Sequence, residues 1–212
     1  MQDMQVIDIF CHIFPAGFME ELQRRCPHLS FRQAGGGAAL NIFNTQSGYW
    51  VAYVIPNSSF DTPEKRLEDM DKYGVDIQVL SASLPGAEPS SLSATPENLV
   101  KIASFVNDAI ADVVSRHPDR FVGVAEIPVA SEESALEEFD RAVGELGMRA
   151  IQVYTQMGGV PIDNERFHPI FERAVKYDVP ILLHPSNPPP SQSRSYEQDY
   201  SLMLLFGWPY ET

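Results

Sequence analysis

Residues 149–184, RAIQVYTQMGGVPIDNERFHPIFERAVKYDVPILLH, indicate the fold class. They open with a short apolar run at 149–154 that is rich in strand-forming residues, and a Gly-rich loop follows it. Apolar residues at helical spacing mark 164–177 as a helix, and 179–184 is a second strand-like run. Strand, helix and strand at this spacing predict two parallel strands that are joined by a right-handed crossover.

The same alternation extends towards the N-terminus. Thr95-Pro96-Glu97 is a typical helix start, with a capping residue, a proline in the first turn and an acid beside it. Further strands are predicted at 5–12, 75–81 and 121–127, and further helices at 61–73, 95–116 and 131–146. The order βαβαβαβαβ predicts an α/β fold, either a TIM-like (β/α)8 barrel with about five of its units in this chain or an open doubly wound sheet. Because no Gly-rich phosphate loop follows any strand, the open nucleotide-binding sheet is the weaker alternative.

We predict one domain over 1–212, interrupted by an insertion at 16–60. The insertion carries too many aromatic residues to remain solvated, which favours a lid or a small hairpin excursion.

Composition excludes several classes of partner. The chain of 212 residues has 29 acidic and 15 basic residues, and the net charge of -14 disfavours nucleic acid and anionic membrane surfaces. No apolar stretch reaches the roughly 18 residues of a membrane span, and the N-terminus does not resemble a signal peptide, so the expected location is cytoplasmic. The two cysteines, Cys11 and Cys26, are predicted to be free thiols.

Two histidines are the candidate metal ligands. His12 and His184 end the first and the last predicted strands, and the C-terminal strand ends of a parallel barrel are where its chemistry collects. A strand period of two places His12 on the same face as Asp8 and Phe10. Neutral imidazoles at this edge would bind zinc or manganese, although a catalytic zinc usually has about three protein ligands. A third ligand is therefore expected from elsewhere.

The sequence resembles the amidohydrolase-related barrels, the group that includes aminocarboxymuconate-semialdehyde decarboxylase and aromatic-acid decarboxylases. The opening strand of that family reads Asp-x-His-x-His followed by a proline; Asp8 and His12 match it, and Phe10 stands where the first histidine is expected. In such proteins the histidine after strand five is a metal ligand, and His184 matches it. The resemblance continues through RLEDMDKYGVDIQVLSAS, RHPDRFVGVAEIPV, GVPIDNERFHPIFERAVKYDVPILLHP and LFGWPYET, and so covers nearly the whole chain apart from 16–60.

The resemblance implies one divalent metal, zinc or manganese, at His12 and His184. It implies an enzyme that decarboxylates a small carboxylated aromatic or muconate-like substrate, or hydrolyses a related lactone. Ser83, Tyr154 and Asn187 end or follow strands and are weak candidates for substrate contacts. Asp8 is expected to hold a neighbouring polar group.

The resemblance also leaves alternatives open. The family has three more strands, with a histidine and an aspartate that this chain lacks, so the catalytic residues stay unassigned. We expect either the front part of a longer gene product or a degenerate barrel that acts as a binding or assembly protein, and open strand edges favour a homo-oligomer. A metal-free enzyme with Cys11 as nucleophile and His12 as base is the weakest hypothesis, because adjacent strand residues point to opposite faces.

Overall fold

The structure is a computed structural model that describes residues 4–37, 39–56, 58, 62–82 and 85–186. In chain order the strands are β1 (Ile7–Ile13), β2 (Leu29–Ala34), β3 (Ala39–Asn44), β4 (Tyr49–Val54), β5 (Ile77–Ala82), β6 (Phe121–Glu126), β7 (Ala150–Tyr154), β8 (Gln156–Met157), β9 (Val160–Pro161) and β10 (Ile181–His184). The helices are α1 (Phe18–Arg25), α2 (Pro63–Tyr73), α3 (Pro89–Leu92), α4 (Pro96–Arg116), α5 (Glu132–Phe139) and α6 (His168–Tyr177). A π-helical segment, Asp140–Glu145, continues α5.

The main sheet contains the five predicted strands. Its order is β1-β5-β6-β7-β10, and every neighbouring pair is parallel. Helices lie in the connections between successive strands of this sheet, as a crossover between parallel strands requires. The predicted βαβαβαβαβ order is therefore confirmed.

The sheet curls strongly. In a flat sheet, four strand spacings of about 4.8 Å would keep β1 and β10 about 19 Å apart. The ring centroids of His12 and His184, at the C-terminal ends of these two edge strands, are only 5.1 Å apart. The described strands thus form part of a barrel wall rather than an open doubly wound sheet.

Local sequence signals set the helix boundaries. The Thr95 side chain accepts a hydrogen bond of 3.3 Å from Asn98 N at the start of α4, and Pro96 opens the first turn. Gly74 ends α2 with φ of 70°, a conformation that glycine adopts without steric cost. The apolar face of α4, including Ile102 and Ile110, is fully buried against the sheet. In the described part of the chain, no helix is both long enough and apolar enough to cross a membrane.

The 16–60 segment contains α1 and a three-stranded antiparallel sheet in the order β2-β3-β4. Two hydrogen bonds tie this sheet to α3, which follows the end of β5. The His28 ring bonds Leu92 O at 2.6 Å, and Asn44 Nδ2 donates to Ser91 O at 2.9 Å. That the segment acts as a lid, and that 1–212 is one domain, stay predictions.

Candidate metal centre

The predicted ligands lie together at the C-terminal edge of the main sheet. We call His12 and His184 the histidine pair; their ring centroids are 5.1 Å apart with an interplanar angle of 59°. Two imidazoles that bind one metal at 2.0–2.1 Å with a tetrahedral angle also have centroids about 5 Å apart. The separation of the histidine pair therefore suits a shared divalent ion.

Hydrogen bonds hold both rings. His184 Nδ1 donates to Pro185 O at 2.7 Å, which leaves the lone pair on Nε2. His12 Nδ1 lies 3.0 Å from Ser81 Oγ on the neighbouring strand β5. The backbone of His12 is held as well, since Arg66 Nη2 donates to His12 O at 2.6 Å. In a ligating histidine, one ring nitrogen usually binds the metal and the other makes a hydrogen bond to a neighbouring group, which orients the ring and fixes its tautomer.

Burial keeps the histidine pair neutral. Removal from water, with a smaller contribution from the neighbouring His184, lowers the pKa of His12 from 6.5 to about 4. Burial likewise lowers the pKa of His184. Neutral imidazole is the form that coordinates a metal, so at neutral pH neither ring must lose a proton before it binds.

Phe10 completes an aromatic cluster but supplies no donor atom. Its ring lies 4.7 Å from that of His12 and 6.1 Å from that of His184, and the side chain is 51% exposed. Among the residues that the structure describes, no group of three or more His, Cys, Asp or Glu side chains is placed to hold a metal. The two imidazoles thus fit a divalent ion as part of a ligand set, and other ligands must complete it.

Asp8 does not share a face with His12, contrary to the prediction. The pairing of β1 with β5 shifts register between Asp8 and Cys11, where three steps along β1 match two steps along β5. This β-bulge adds one residue to β1, so the side chains before and after it exchange faces of the sheet. Asp8 therefore lies on the same face as Cys11. The exposed Asp8 carboxylate accepts a hydrogen bond of 3.4 Å from Gln78 Nε2 and helps to raise the pKa of the Cys11 thiol.

Both cysteines are free, as predicted, and both are buried. The pKa of Cys11 is raised to about 12, with burial as the largest cause and Asp8 as the next. Cys11 is therefore a protonated thiol at neutral pH, which argues against its use as a nucleophile.

A buried carboxylate near the histidine pair was missed in the sequence. Glu126 ends β6 and is 1% exposed; its pKa is raised to about 7, mainly by burial. It accepts hydrogen bonds of 2.9 Å from Tyr154 Oη and 3.2 Å from Gln152 Nε2. The signal was present, since an acid at the C-terminal end of an otherwise apolar strand occupies the same strand position as His12 and His184.

The predicted substrate contacts have different outcomes. Ser83 and Asn187 lie outside the described residues. Tyr154 is fully buried beside His184, with ring centroids 5.5 Å apart, and its hydroxyl group is bonded to Glu126. Its role as a substrate contact stays a prediction.

A curled parallel sheet with two histidines at its C-terminal edge is typical of a (β/α)8 barrel, whose functional groups collect at that edge. Comparison with known families makes this specific. The amidohydrolase family profile matches residues 7–211, and the chain belongs to this family.

Curated relatives include decarboxylases. The chain is 33% identical over 150 residues to the 2-amino-3-carboxymuconate-6-semialdehyde decarboxylase of Dictyostelium discoideum, a match that covers 71% of this chain and 40% of that protein. It is 32% identical over 157 residues to the gamma-resorcylate decarboxylase of Rhizobium radiobacter, with 70% and 46% covered. The chain therefore spans less than half the length of these relatives.

Solved structures share the fold. A 5-carboxyvanillate decarboxylase from Novosphingobium aromaticivorans, crystallised with manganese and 4-hydroxy-3-methoxy-5-nitrobenzoic acid, superposes with a TM-score of 0.77 at 24% identity. The match covers 100% of this chain and 58% of that protein. The described strands correspond to part of a larger barrel.

Proposed function

We propose that this chain contributes the first metal-binding half of a decarboxylase for small aromatic or muconate-like carboxylic acids. The observation that carries the proposal is the histidine pair, two neutral imidazoles with centroids 5.1 Å apart at the C-terminal edge of a curled parallel sheet. Membership of the amidohydrolase family and the identity of more than 30% to two decarboxylases supply the reaction class.

The residues fit manganese or zinc, and the rings of His12 and His184 would hold the ion. Such an ion, when bound, polarises the oxygens of a bound carboxylate or phenol. The chain itself keeps both rings neutral at neutral pH and orients them through Ser81 and the Pro185 carbonyl group. Water, the substrate and groups outside the described residues would fill the remaining coordination positions of the ion.

The surroundings of the histidine pair suit a planar substrate. Phe10 presents a half-exposed ring against both histidines, and an aromatic acid would stack on it or meet its edge. The net charge of -14 gives no general attraction for an anion, so the substrate carboxylate requires a local cation such as the metal. Ser83, Tyr154 and Asn187 remain candidates for further contacts.

Decarboxylation is proposed in preference to lactone hydrolysis because both of these relatives are decarboxylases. A non-catalytic binding or assembly protein is the outcome that the experiment below separates from an enzyme. The proposal of a homo-oligomer rests on the parallel edges of β1 and β10.

Manganese binding to the full chain tests the metal site. We expect one Mn²⁺ per chain by titration calorimetry and by electron paramagnetic resonance. Substitution of His12→Ala or His184→Ala should weaken binding by more than about 10-fold, because loss of an outer-shell partner alone costs about 10–100-fold. The control is His168→Ala, which removes an exposed histidine at the start of α6.

Release of CO₂ from 2,6-dihydroxybenzoate by the manganese-loaded chain tests the reaction. Turnover that His184→Ala abolishes and His168→Ala spares would support the decarboxylase. Metal binding without turnover of aromatic or muconate-like acids would show that the chain by itself is not a decarboxylase and would favour the binding protein. Equal loss of metal in the His168→Ala control would refute the site itself.

A further inference from the structure

Three polar side chains form a sealed cluster one strand away from His184. We call Glu126, Gln152 and Tyr154 the carboxylate cluster; they lie on the neighbouring strands β6 and β7, with Glu126 and Gln152 directly opposite in register. All three are at most 1% exposed. Glu126 Oε1 accepts from Tyr154 Oη and from Ala87 N, both at 2.9 Å, and Oε2 accepts from Gln152 Nε2.

A glycine in the loop after β5 packs against the carboxylate cluster. Gly86 precedes Ala87 in the loop after β5, and it has φ of 47°. A Cβ atom on Gly86 would lie 2.5 Å from Tyr154 Oη and 2.6 Å from Glu126 Oε1, which is closer than any real contact. The loop backbone therefore lies directly against the hydrogen bond between Tyr154 and Glu126. Tyr154 Oη also accepts a hydrogen bond of 3.3 Å from Gln152 Nε2, so both of its partners belong to the carboxylate cluster.

The Tyr154 ring connects the carboxylate cluster to the histidine pair, because it contacts the His184 ring. Tyr154 lies opposite His184 in the register of β7 and β10, and their rings meet edge to face at 65° with centroids 5.5 Å apart. On the other side, Phe10 lies nearly parallel to the His184 ring, at 17°. Phe10 is half exposed and has only packing to hold it, whereas Tyr154 is anchored by a charge-assisted hydrogen bond when Glu126 is ionised.

We propose that Glu126 and Tyr154 are positioning residues for the metal centre, with Glu126 anchoring Tyr154 and the Tyr154 ring setting the orientation of His184. The proposal rests on the proposed metal site. It differs from a purely structural role in one respect: loss of the tyrosine hydroxyl group must change the His184 ring and its affinity for metal, and must do so through Glu126.

Nuclear magnetic resonance of the histidine rings tests the orientation without any metal. In the wild-type chain we expect the signals of His184, identified by their loss in His184→Ala, to report one tautomer with the proton on Nδ1. Tyr154→Phe keeps the ring and removes only the hydroxyl group, and it should shift or broaden those signals. The matched control is Tyr177→Phe, which removes a hydroxyl group from the Asp140 carboxylate away from the histidine pair.

Manganese affinity of the same proteins supplies the second measurement. Tyr154→Phe should raise the Mn²⁺ dissociation constant by about 10-fold, at the lower end for an outer-shell partner. Glu126→Gln keeps an oxygen that accepts from Tyr154 and should rescue binding to near the wild-type value, whereas Glu126→Leu should match Tyr154→Phe. Because both changes break one interaction, the double variant Glu126→Leu/Tyr154→Phe should be no weaker than either single variant.

The outcomes separate the two proposals. Unchanged His184 signals in Tyr154→Phe, or equal effects of Tyr154→Phe and Tyr177→Phe, would overturn the positioning role even if the metal binds. Additive losses in the double variant would show that Glu126 does not act through Tyr154. If the wild-type chain binds no Mn²⁺, the proposed function fails, and the ring signals of the metal-free protein still decide whether the cluster orients His184.

Discussion

The edge strands and the central strands of the main sheet serve the site in different ways. The edge strands β1 and β10 carry the histidine pair, and apolar neighbours on both strands are open to solvent, with Ile9 69% and Leu183 44% exposed. The central strands β6 and β7 carry Glu126 and Tyr154, which are sealed in the core. The candidate ligands thus lie on the edge strands of the sheet, while the groups proposed to orient one of them lie on strands that have a neighbour on each side.

This difference implies that the geometry of the site depends on the curl of the sheet. His12 and His184 are joined by no direct ladder of hydrogen bonds, since their strands are at opposite edges. The interior strands must hold the curvature, because among the described strands of this sheet β5, β6 and β7 have a neighbour on each side. Changes in the central strands should therefore have large effects on stability, and changes at the edges small ones.

The largest expected effect is on core packing. Ile151→Ala in β7 empties a fully buried position and should lower the free energy of unfolding by about 2–5 kcal/mol. Ile9→Ala in β1 is the matched control, and an exposed position should cost less than about 0.5 kcal/mol. Urea unfolding at fixed pH measures both, and equal losses would contradict the contrast between centre and edge.

The next effect is a pH dependence from the carboxylate cluster. Burial, with a smaller contribution from the Glu88 charge, raises the pKa of Glu126 from 4.5 to about 7. The folded state then holds a proton that the unfolded state has already released, so stability falls as pH rises from about 4.5 to 7. A pKa shift of this size lowers the free energy of unfolding by roughly 3 kcal/mol above pH 7, relative to its value at low pH.

Glu126→Gln provides the comparison for that pH dependence. The variant lacks this ionisable group. Between pH 4.5 and 8 the unfolding free energy of the wild type should therefore fall by the same amount relative to that of the variant, so that the variant gains in relative stability at the higher pH. Tyr154, the other titratable group that bonds Glu126, stays protonated throughout because its pKa is raised well above 10. A difference independent of pH would contradict the raised pKa.

The smallest of the three effects concerns the loop that seals the cluster. Gly86→Ala should cost about 1–3 kcal/mol beyond the backbone strain, because the new Cβ atom collides with Tyr154 and Glu126. Gly158→Ala is the control: its φ of 64° carries similar strain of about 1–2 kcal/mol, and no atom lies within 4 Å of its Cβ. Thermal unfolding distinguishes the two variants, and equal melting temperatures would mean that the loop at Gly86 accommodates the new Cβ atom without loss of stability.

The order of elements was predictable because it follows from local rules. Proline and an acid at the start of α4 and glycine at the end of α2 act within a few residues, and the structure confirms both boundaries. The closeness of His12 and His184 was predictable only for a barrel, one of the two folds that the strand alternation left open and the one that the family resemblance implied.

The prediction that Asp8 shares a face with His12 was wrong because no local sequence pattern indicates a β-bulge. The extra residue in β1 becomes visible only in the pairing with β5, where Asp8 and Cys11 face Gln78 and Leu80. Glu126 was overlooked for a related reason: its partners come from two other parts of the chain, Ala87 from the loop after β5 and Gln152 and Tyr154 from β7. Neither feature is encoded by spacing along one strand.

The sequence by itself determined the alternation of strands and helices, the parallel sheet and the two histidines at its C-terminal edge, because hydrophobic period and capping chemistry act over short distances. Only the tertiary structure decided which side chains share a face, which carboxylate is buried beside the site, and how far the sheet curls. Those properties arise from contacts between residues that are far apart in the chain, and their free energies depend on burial that exists only after folding.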